Sequence, residues 1–223
     1  MESVSIIIPI SKNIESRDKS FKWVKAFYEK MFPEYELCIG ASDEQPFPKA
    51  KVINKAVKES NGDILVIADA DLIYDPNLLK ESIKKLDSHA WVIPFRKVLN
   101  ISKESTQKLL EEEPQWPIPI PVDTKKRPHA AMGGINIVPR ELFDAVCGFD
   151  ERFVGWGGED DAFAASLNSL CGYVKRMDGT LYHLWHKRGS LTNYKENREL
   201  LRHYRKGKEA IKNQVEIRRS MME

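Results

Sequence analysis

The sequence contains few cysteines, no long hydrophobic segment and no large excess of one charge. Its three cysteines, Cys38, Cys147 and Cys171, are odd in number and widely spaced. They form neither a CxxC metal-binding pattern nor the disulfide framework of a small secreted domain, and they favour a reducing compartment. No apolar stretch approaches the roughly 20 residues of a transmembrane helix. A formal net charge of +2 argues against a purely electrostatic role such as coating nucleic acid.

The amino terminus has none of the features of a targeting segment. MESVSIIIPI contains only a short apolar run, with no basic region before it and no small-residue cleavage site. We therefore expect a soluble, cytoplasmic protein without a transmembrane segment, whose chain begins with a β-strand. Peripheral contact with a membrane stays an open alternative.

Hydrophobic runs alternate with segments of helical spacing through the first hundred residues. Strands are expected at residues 4–8, before Pro9, and at residues 36–39, 63–68 and 91–95. Helices are expected at residues 19–32, 50–59 and 75–86. This alternation predicts an α/β fold with a mostly parallel sheet and helices on both of its faces.

The second half of the chain is less regular and is rich in basic residues at its end. PQWPIPIP, residues 114–121, can form neither a helix nor a central strand and is expected to cross the surface. Further elements are expected as a strand at residues 135–138 and helices at residues 140–146, 159–170 and 193–219. We divide the chain into a main domain, residues 1–190, and a basic C-terminal helical extension, residues 191–223.

An Asp-Ala-Asp sequence follows one of the predicted buried strands. Asp69 and Asp71 lie two residues apart, so on an extended segment their side chains point to the same side. Ligands of open α/β sheets bind beyond the carboxyl ends of the strands, where Asp43 is also expected. Hard divalent cations prefer carboxylate oxygens, and a nucleotide diphosphate needs such a cation. The alternative is a solvated turn that caps the following helix.

The segment GFDERFVGWGGEDDAFAASL combines glycines, a tryptophan and acids. Three glycines surround Trp156, and glycine allows the backbone to approach a ligand closely. The three acidic residues 159–161 then occupy the first turn of a helix, where the helix dipole favours negative charge. A glycine-rich turn with an acidic cap is the structural alternative, but it accounts for one acid more easily than for three.

Together these segments resemble the glycosyltransferases of the GT-A fold, especially the β-1,4-galactosyltransferase-like and family 2 groups. VSIIIPI resembles the family's opening strand, and FPKAKVIN, residues 47–54, is similar to its Phe-Asn-Arg-Ala-Lys-Leu-Leu-Asn segment. IADADLIYDP, GGINIVPRELFDAVCGFDERFVGWGGEDD and LYHLWHKR follow in the family's order. The resemblance implies a GT-A, Rossmann-like single domain with a C-terminal helical tail.

The resemblance also implies a set of donor-binding residues. Asp71 would bind the metal ion, which would be Mn²⁺ or Mg²⁺, and Asp69 would lie near the ribose or the metal shell. Asp43 and the backbone around Pro9 would contact the nucleoside, and Lys51 would lie near the donor. The donor would be a uridine diphosphate sugar carrying a hexose or an N-acetylhexosamine.

The resemblance implies catalytic and sugar-binding roles for three residues of the Trp-Gly-Gly-Glu-Asp-Asp segment. Asp160 would be the general base that takes the proton from the acceptor hydroxyl, and Glu159 would orient sugar hydroxyls. Trp156 would stack on a sugar. Retaining relatives have Trp-Gly-x-Glu-x-x-Glu, whereas Ala162 follows Glu-Asp-Asp here. A base opposite a diphosphate leaving group implies direct displacement with inversion at the anomeric carbon.

Two histidines near residue 185 are candidates for the second metal ligand. His183 matches the His-x-x-Arg-Lys pattern of the polypeptide N-acetylgalactosaminyltransferases, and His186 matches the galactosyltransferase pattern. Imidazole together with carboxylate suits a manganese-like ion. The alternative is a histidine packed in the core beside Trp185. At least one of the two is expected to bind the metal.

Some parts of the sequence depart from the family pattern. The Arg-x-Arg-x-x-His segment of the galactosyltransferases is missing, and Phe47-Pro48-Lys49 replaces Phe-Asn-Arg. Because no long anchor precedes the first strand, we expect a protein unlike the Golgi-type members. The acceptor stays open among a glycan, a lipid-linked sugar and a modified nucleic-acid base. The basic tail, with eleven Lys or Arg against four Glu over residues 187–219, fits either a solvated helix or an acidic partner.

Three other functions compete with glycosyl transfer. A non-catalytic nucleotide-sugar or nucleic-acid binding protein would keep the fold, but it would not need the acids and the histidine pair together. A sugar-nucleotide pyrophosphorylase would carry a glycine-rich loop after the first strand, and PISKNIESR contains no glycine. A role in nucleic-acid binding alone is supported only by the tail.

Overall fold

The computed structural model describes residues 2–12, 15–129, 131–187 and 191–221. The first part of the chain follows the predicted alternation of strands and helices. Its elements are β1 (Val4–Ser11), α1 (Glu15–Met31), β2 (Glu36–Ser42), α2 (Lys49–Glu59) and β3 (Ile64–Ala68). Every residue of β1 and β3 is buried, as expected for apolar strands that are covered on both faces.

The first strand is longer than its sequence indicated, because it continues through Pro9 to Ser11. Its pairing with β3 ends at Ile7, whereas its pairing with β2 continues to Ser11. Pro9 therefore has a strand neighbour on one side only, a position where the missing N–H of proline is tolerated. The prediction that the strand stops before Pro9 was wrong for this reason.

The rest of the chain adds short elements that the sequence did not reveal. Strands β4, β6 and β8 and helix α4 were not predicted, and residues 114–121 contain neither helix nor strand, as expected. The middle elements are β4 (Leu72–Ile73), α3 (Pro76–Ile83), a 3₁₀ helix (Lys84–Asp87), β5 (Trp91–Ile101), α4 (Lys103–Leu109) and β6 (Thr124–Lys126). The last elements are β7 (Ile135–Pro139), α5 (Arg140–Ala145), α6 (Glu159–Leu170), β8 (Val174–His183), α7 (Tyr194–His203) and α8 (Lys208–Ser220).

One sheet joins the eight strands of the described ranges in the order β2-β1-β3-β7-β5-β8-β4, with β6 on β5. The pairs β1/β2, β1/β3 and β5/β8 are parallel and include most of the paired residues. Strand β7 runs antiparallel to β3 and β5, and β4 runs antiparallel to β8. The predicted α/β class is confirmed, with a sheet that is mostly but not purely parallel.

The C-terminal extension forms two helices rather than the single predicted one. The chain turns at Gly207, whose φ of 101° is a conformation that glycine adopts without strain. Both helices pack on α6 through a small apolar core of Phe153, Ala162, Leu201, Tyr204 and Ile211. The two helices of the extension therefore dock on the main domain with their apolar sides and leave their basic sides outward.

Buried polar contacts also hold the extension in place. Arg218 of α8 is buried and donates hydrogen bonds to the carbonyls of Val146 (2.8 Å) and Gly148 (2.8 Å). The Tyr204 hydroxyl donates to Asp150 at 2.8 Å, and this carboxylate also pairs with Arg152. Since these partners precede the glycine-rich loop, the extension supports that loop directly.

The boundary predicted between residues 190 and 191 falls next to residues that the structure does not describe. Residues 188–190, which include Arg188 of the LYHLWHKR segment, lie outside the described residues. The division into a domain and an extension stays a prediction. Among the helices of the described ranges, none is both long and apolar enough to cross a membrane.

Candidate active site

A cleft of about 1100 Å³ opens where the parallel strands β1 and β3 end. The loops that follow these strands meet there with the loop before α6, the end of β8 and one side of α7. Most of the predicted site residues line this cleft: Pro9, Asp69, Asp71, Trp156, Glu159, Asp160, His183 and His186. Sequence segments that are far apart in the chain therefore form one site.

Two predicted donor-binding residues, Asp43 and Lys51, are not among the residues that line the cleft. Lys51 is exposed and pairs with Glu44 at 3.1 Å, whereas Lys49 lies in the cleft. Residues two apart on a helix point in nearly opposite directions, so α2 can direct only one of these lysines inward. Lys49, and not the predicted Lys51, therefore lies in the cleft. Asp43 lies exposed just beyond β2.

The pairing of β4 with β8 brings Asp71 next to the two histidines. Leu72 lies opposite His183 in this antiparallel pair, and Leu184 N–H donates to the Asp71 carbonyl at 2.9 Å. The Asp71 carboxylate oxygens lie 3.5 Å from Nε2 of His183 and 3.1 Å from Nε2 of His186. One ligand atom from each of the three residues lies within 4.8 Å of the others.

This donor set fits a divalent metal ion. Neighbouring ligands around such an ion stand about 3 Å apart, because each metal–ligand bond is about 2.1 Å long. Two imidazoles with one carboxylate suit a first-row transition metal better than Mg²⁺ or Ca²⁺, which prefer all-oxygen sites. Both histidines, rather than only one, are placed to bind the ion.

The histidines are held in a form that can bind a metal. Nδ1 of His186 lies 2.9 Å from the Lys187 carbonyl, which can only accept a hydrogen bond. The proton therefore sits on Nδ1 and leaves Nε2 directed at Asp71. Burial lowers the pKa of His183 below its ordinary value, although the Asp71 carboxylate opposes this shift. A neutral imidazole is the form that coordinates a metal.

Beside this triad, Lys49 joins three carboxylates. Its Nζ lies 3.0 Å from Asp69, 3.0 Å from Asp160 and 3.4 Å from Glu159. Burial lowers the pKa of Lys49, but the three carboxylates outweigh it and raise the pKa well above the ordinary value. Lys49 is therefore charged, and it connects the Asp-Ala-Asp segment to the first turn of α6.

Asp160 lies in surroundings that suit a group which accepts a proton near neutral pH. Burial raises its pKa to about 7, while Lys49 lowers it and Glu159 raises it further. Gly133 packs so closely on the carboxylate that a Cβ at this position would lie 1.9 Å from Oδ2 of Asp160. Any larger residue at position 133 would have to displace the Asp160 carboxylate, so this glycine leaves room for the carboxylate in its observed position.

The loop before α6 depends on glycine for its conformation. Gly157 has a φ of 102° and Gly158 a φ of 98°, which other residues rarely adopt. Gly158 is the N-cap of α6, so neither Glu159 nor Asp160 caps the helix. The acids are thus turned into the cleft, and the interpretation of this segment as a simple acidic helix cap is not supported.

Exposed aromatic side chains line the cleft. Trp156 is 49% exposed and lies 5.4 Å from Tyr194, measured between ring centroids. Trp185, also exposed, lines another part of the cleft. The ammonium of Lys103 lies over its ring. Exposed aromatic surface within a cleft marks a binding site rather than packing.

Sequence reasoning missed three contributors to the cleft. Lys49 could have been found, because it stands where the family segment has Arg. Gly133 begins the GGINIVPR segment that resembles the family, but its closeness to Asp160 depends on the tertiary structure. The face of α7 that includes Tyr194, Arg198 and Leu201 lines the cleft as well. Its helical spacing was visible in the sequence, but the direction in which it points was not.

Known protein families match most of the chain. The family model described as glycosyl transferase family 2 matches residues 15–146, and the model described as the N-terminal domain of galactosyltransferase matches residues 121–188. The first match spans more than half of the chain. This chain belongs to glycosyltransferase family 2.

Curated relatives are distant. Human beta-1,4-galactosyltransferase 4 is 25% identical over 166 residues, which cover 72% of this chain and 41% of the human protein. The mouse protein of the same name is also 25% identical over 166 residues. The match therefore spans about two fifths of the length of these relatives.

Solved structures show the same fold. Drosophila beta-1,4-galactosyltransferase 7, in complex with manganese, UDP-Gal and xylobiose, has a TM-score of 0.58 at 17% identity, covering 89% of this chain and 80% of that one. Mycobacterium tuberculosis glucosyl-3-phosphoglycerate synthase, in complex with Mn²⁺, UDP and glucosyl-3-phosphoglycerate, has a TM-score of 0.55 at 14% identity, covering 91% and 78%. The chain therefore has the GT-A fold predicted from its sequence.

Proposed function

We propose that this chain is a metal-dependent glycosyltransferase that moves a hexose or N-acetylhexosamine from a UDP-sugar to an acceptor hydroxyl. The observation that carries the proposal is the presence in one cleft of two neighbouring groups. One is the triad of Asp71, His183 and His186, and the other is the cluster around Lys49. A binding module without catalysis would not need a buried base beside a metal site.

On the donor side, Asp71, His183 and His186 would hold the ion. A bound divalent ion neutralises negative charge on the departing diphosphate. Asp69 follows β3 directly and would reach the ribose or the metal shell, while the backbone at Pro9 would contact the nucleoside. Manganese and UDP-Gal in the Drosophila relative, and Mn²⁺ and UDP in the mycobacterial one, support this choice of metal and nucleotide.

On the acceptor side, Asp160 would act as the general base. Its carboxylate accepts the proton of the acceptor hydroxyl while the acceptor oxygen forms a bond to the anomeric carbon. The bond from that carbon to the diphosphate oxygen breaks in the same step. Glu159 would orient sugar hydroxyls, and Trp156 offers an aromatic face to a sugar ring. Lys49 keeps both acids in position through its ion pairs.

The arrangement favours inversion at the anomeric carbon. A single displacement needs one base for the incoming hydroxyl and a leaving group on the opposite side. The cleft supplies Asp160 in the first turn of α6, and the proposed metal ligands after β3, at the end of β8 and just beyond it. No second base is required for this step.

The function is tested by a donor screen with the full chain and manganese. UDP-glucose, UDP-galactose, their N-acetyl forms and GDP-mannose are supplied with and without candidate acceptors, and release of the nucleoside diphosphate is measured. We expect release from at least one of these donors, with suppression by a chelator and none from GDP-mannose. The proposal is wrong if no UDP-sugar binds in the presence of manganese.

The histidine pair gives a separate prediction about the metal. His183→Ala and His186→Ala should each weaken manganese affinity by roughly 10–100-fold or more, because even outer-shell changes at metal sites have effects of this size. Each variant is titrated with manganese by calorimetry, with His89→Ala as the control because His89 lies outside the cleft. Unchanged affinity in both variants would give the histidines a structural role instead.

The cytoplasmic location predicted from the sequence is also part of this proposal. It is supported by the state of the cysteines, since Cys38, Cys147 and Cys171 are all free. Free cysteines agree with a reducing compartment.

A further inference from the structure

One face of α7, together with Arg205 two residues beyond the end of this helix, lines the cleft on the side of the proposed base. Tyr194, Arg198, Leu201 and Arg205 all belong to the cleft wall. They are spaced at i, i+4, i+7 and i+11, which places them along one side of a helix. This face contributes two guanidinium groups and one aromatic ring to the site.

The two arginines of this face have no counter-ion in the described ranges of the chain. Neither Arg198 nor Arg205 lies within 4.0 Å of a carboxylate oxygen of any described residue, and both are exposed. By contrast, Arg202 on the same helix pairs with Glu199. Arg205 is near enough to Asp161 to lower its pKa, against the larger effect of burial, but the two form no ion pair.

The position of this face relative to the base is set by buried contacts. Asn197 is buried and donates to the carbonyls of Val154 (3.2 Å) and Trp156 (3.3 Å), so α7 is attached to the glycine-rich loop. The ring of Tyr194 lies beside Trp156. The guanidinium of Arg198 lies over the Tyr194 ring, 5.7 Å from its centroid. The arginines, the aromatic pair and the loop that leads to the base thus form one wall.

The charges along the cleft differ between the surroundings of Asp160 and the wall formed by α7. Around Asp160, the carboxylates of Asp69, Glu159 and Asp160 outnumber the ammonium of Lys49. The wall at α7 has two guanidinium groups, with the carboxylate of Asp161 near Arg205. An anionic group of an acceptor is repelled by the carboxylates around Asp160 and attracted to the wall at α7. Arginine binds phosphate and carboxylate groups through two parallel hydrogen bonds, which suits it to this role.

We propose that the acceptor is a sugar bearing a phosphate or carboxylate group, which Arg198 and Arg205 bind while its hydroxyl faces Asp160. This inference rests on the proposed glycosyl transfer and specifies the chemical class of the acceptor. The sugar ring lies against Trp156 and Tyr194. The anionic group can belong to a soluble sugar phosphate or to the headgroup of a lipid.

The test measures binding with the donor side already filled. UDP and manganese are first shown to bind, and the full chain saturated with both is then titrated with glucose 6-phosphate and with glucose. A parallel titration uses vesicles of phosphatidylcholine with and without phosphatidylinositol 4-phosphate. We expect at least one phosphate probe to bind about 10–100-fold more tightly than its neutral counterpart, since charged hydrogen bonds have this strength.

The variants locate the effect on α7. The double variant Arg198→Gln/Arg205→Gln should lose most of this preference and should keep its affinity for UDP with manganese. Lys195→Gln/Arg202→Gln is the matched control, because it also removes two positive charges from the same helix, at residues that do not line the cleft. Thermal unfolding of each variant checks the fold, which should not change because both cleft arginines are exposed.

The outcomes separate the two proposals. If UDP with manganese does not bind, the proposed function fails. If UDP binds but neither phosphate probe is preferred, or the double variant keeps the preference, only the inference on the acceptor is overturned. Binding of the vesicles alone assigns the anion to a lipid, and binding of glucose 6-phosphate assigns it to a soluble sugar. A single-stranded oligonucleotide that binds when both probes fail overturns it in favour of nucleic acid.

Discussion

Replacing Asp160 by asparagine is expected to lower turnover by roughly 10²–10⁴-fold, the usual contribution of a general base. Asparagine keeps the size of the side chain and can still accept a hydrogen bond from Lys49, which lies 3.0 Å away. It cannot accept the proton of the acceptor. Affinity for UDP with manganese, measured by calorimetry beside the turnover assay, should therefore stay nearly unchanged.

The pH dependence of the wild-type protein gives a second readout of the same role. Because the pKa of Asp160 is raised to about 7, its carboxylate is protonated at lower pH and cannot act as a base. We expect kcat/KM to fall as the pH drops below about 7, and Asp160→Asn to lack this dependence. Asp144→Asn, on the exposed side of α5, is the matched control and should behave as wild type. Turnover that survives in Asp160→Asn would exclude the general-base role.

Asp71→Ala is expected to abolish metal-dependent transfer, with a loss of more than about 100-fold, since even outer-shell changes cost up to that amount. Asp71 supplies the carboxylate of the proposed metal site, and its two oxygens face the two histidines. Manganese affinity should fall together with turnover. The fold should persist, because the β4–β8 pair depends on the Asp71 backbone carbonyl rather than its side chain.

The control for this variant is Asp178→Asn, which removes an exposed carboxylate that pairs with Arg96. It should leave both metal affinity and turnover unchanged. Near wild-type activity of Asp71→Ala at low manganese concentration would remove Asp71 from the metal site. A loss of turnover with intact manganese affinity would move its role to the donor sugar or the nucleotide.

These two variants separate the two halves of the cleft. Asp160→Asn should affect the chemical step alone, whereas Asp71→Ala should affect both metal binding and the chemical step. Lys49 links the two halves through Asp69 and Asp160. A loss of manganese affinity in both variants would therefore indicate that the cluster acts as one electrostatic unit.

Much of the fold follows from local sequence patterns. The apolar runs of β1 and β3 and the helical spacing of α2 and α6 depend on burial of each element by itself, so periodicity reveals them. The helix at Glu159–Leu170 has the bounds that its sequence predicted. Strand β8, in contrast, is mostly half-buried and contains polar residues and a glycine, so it has no clear alternation. Its place depends on pairing with β5 and β4.

The types of residue in the candidate site were also determined by the sequence. The Asp-Ala-Asp segment at a strand end, the glycine-rich loop with its acids and the two late histidines were recognisable without coordinates. Only the tertiary structure decided which of them meet. The β4–β8 register places both histidines on Asp71, the rotation of α2 selects Lys49 instead of Lys51, and the docking of α7 turns Arg198 towards the cleft. Register, helix rotation and docking arise from contacts between distant segments, and no local pattern encodes them.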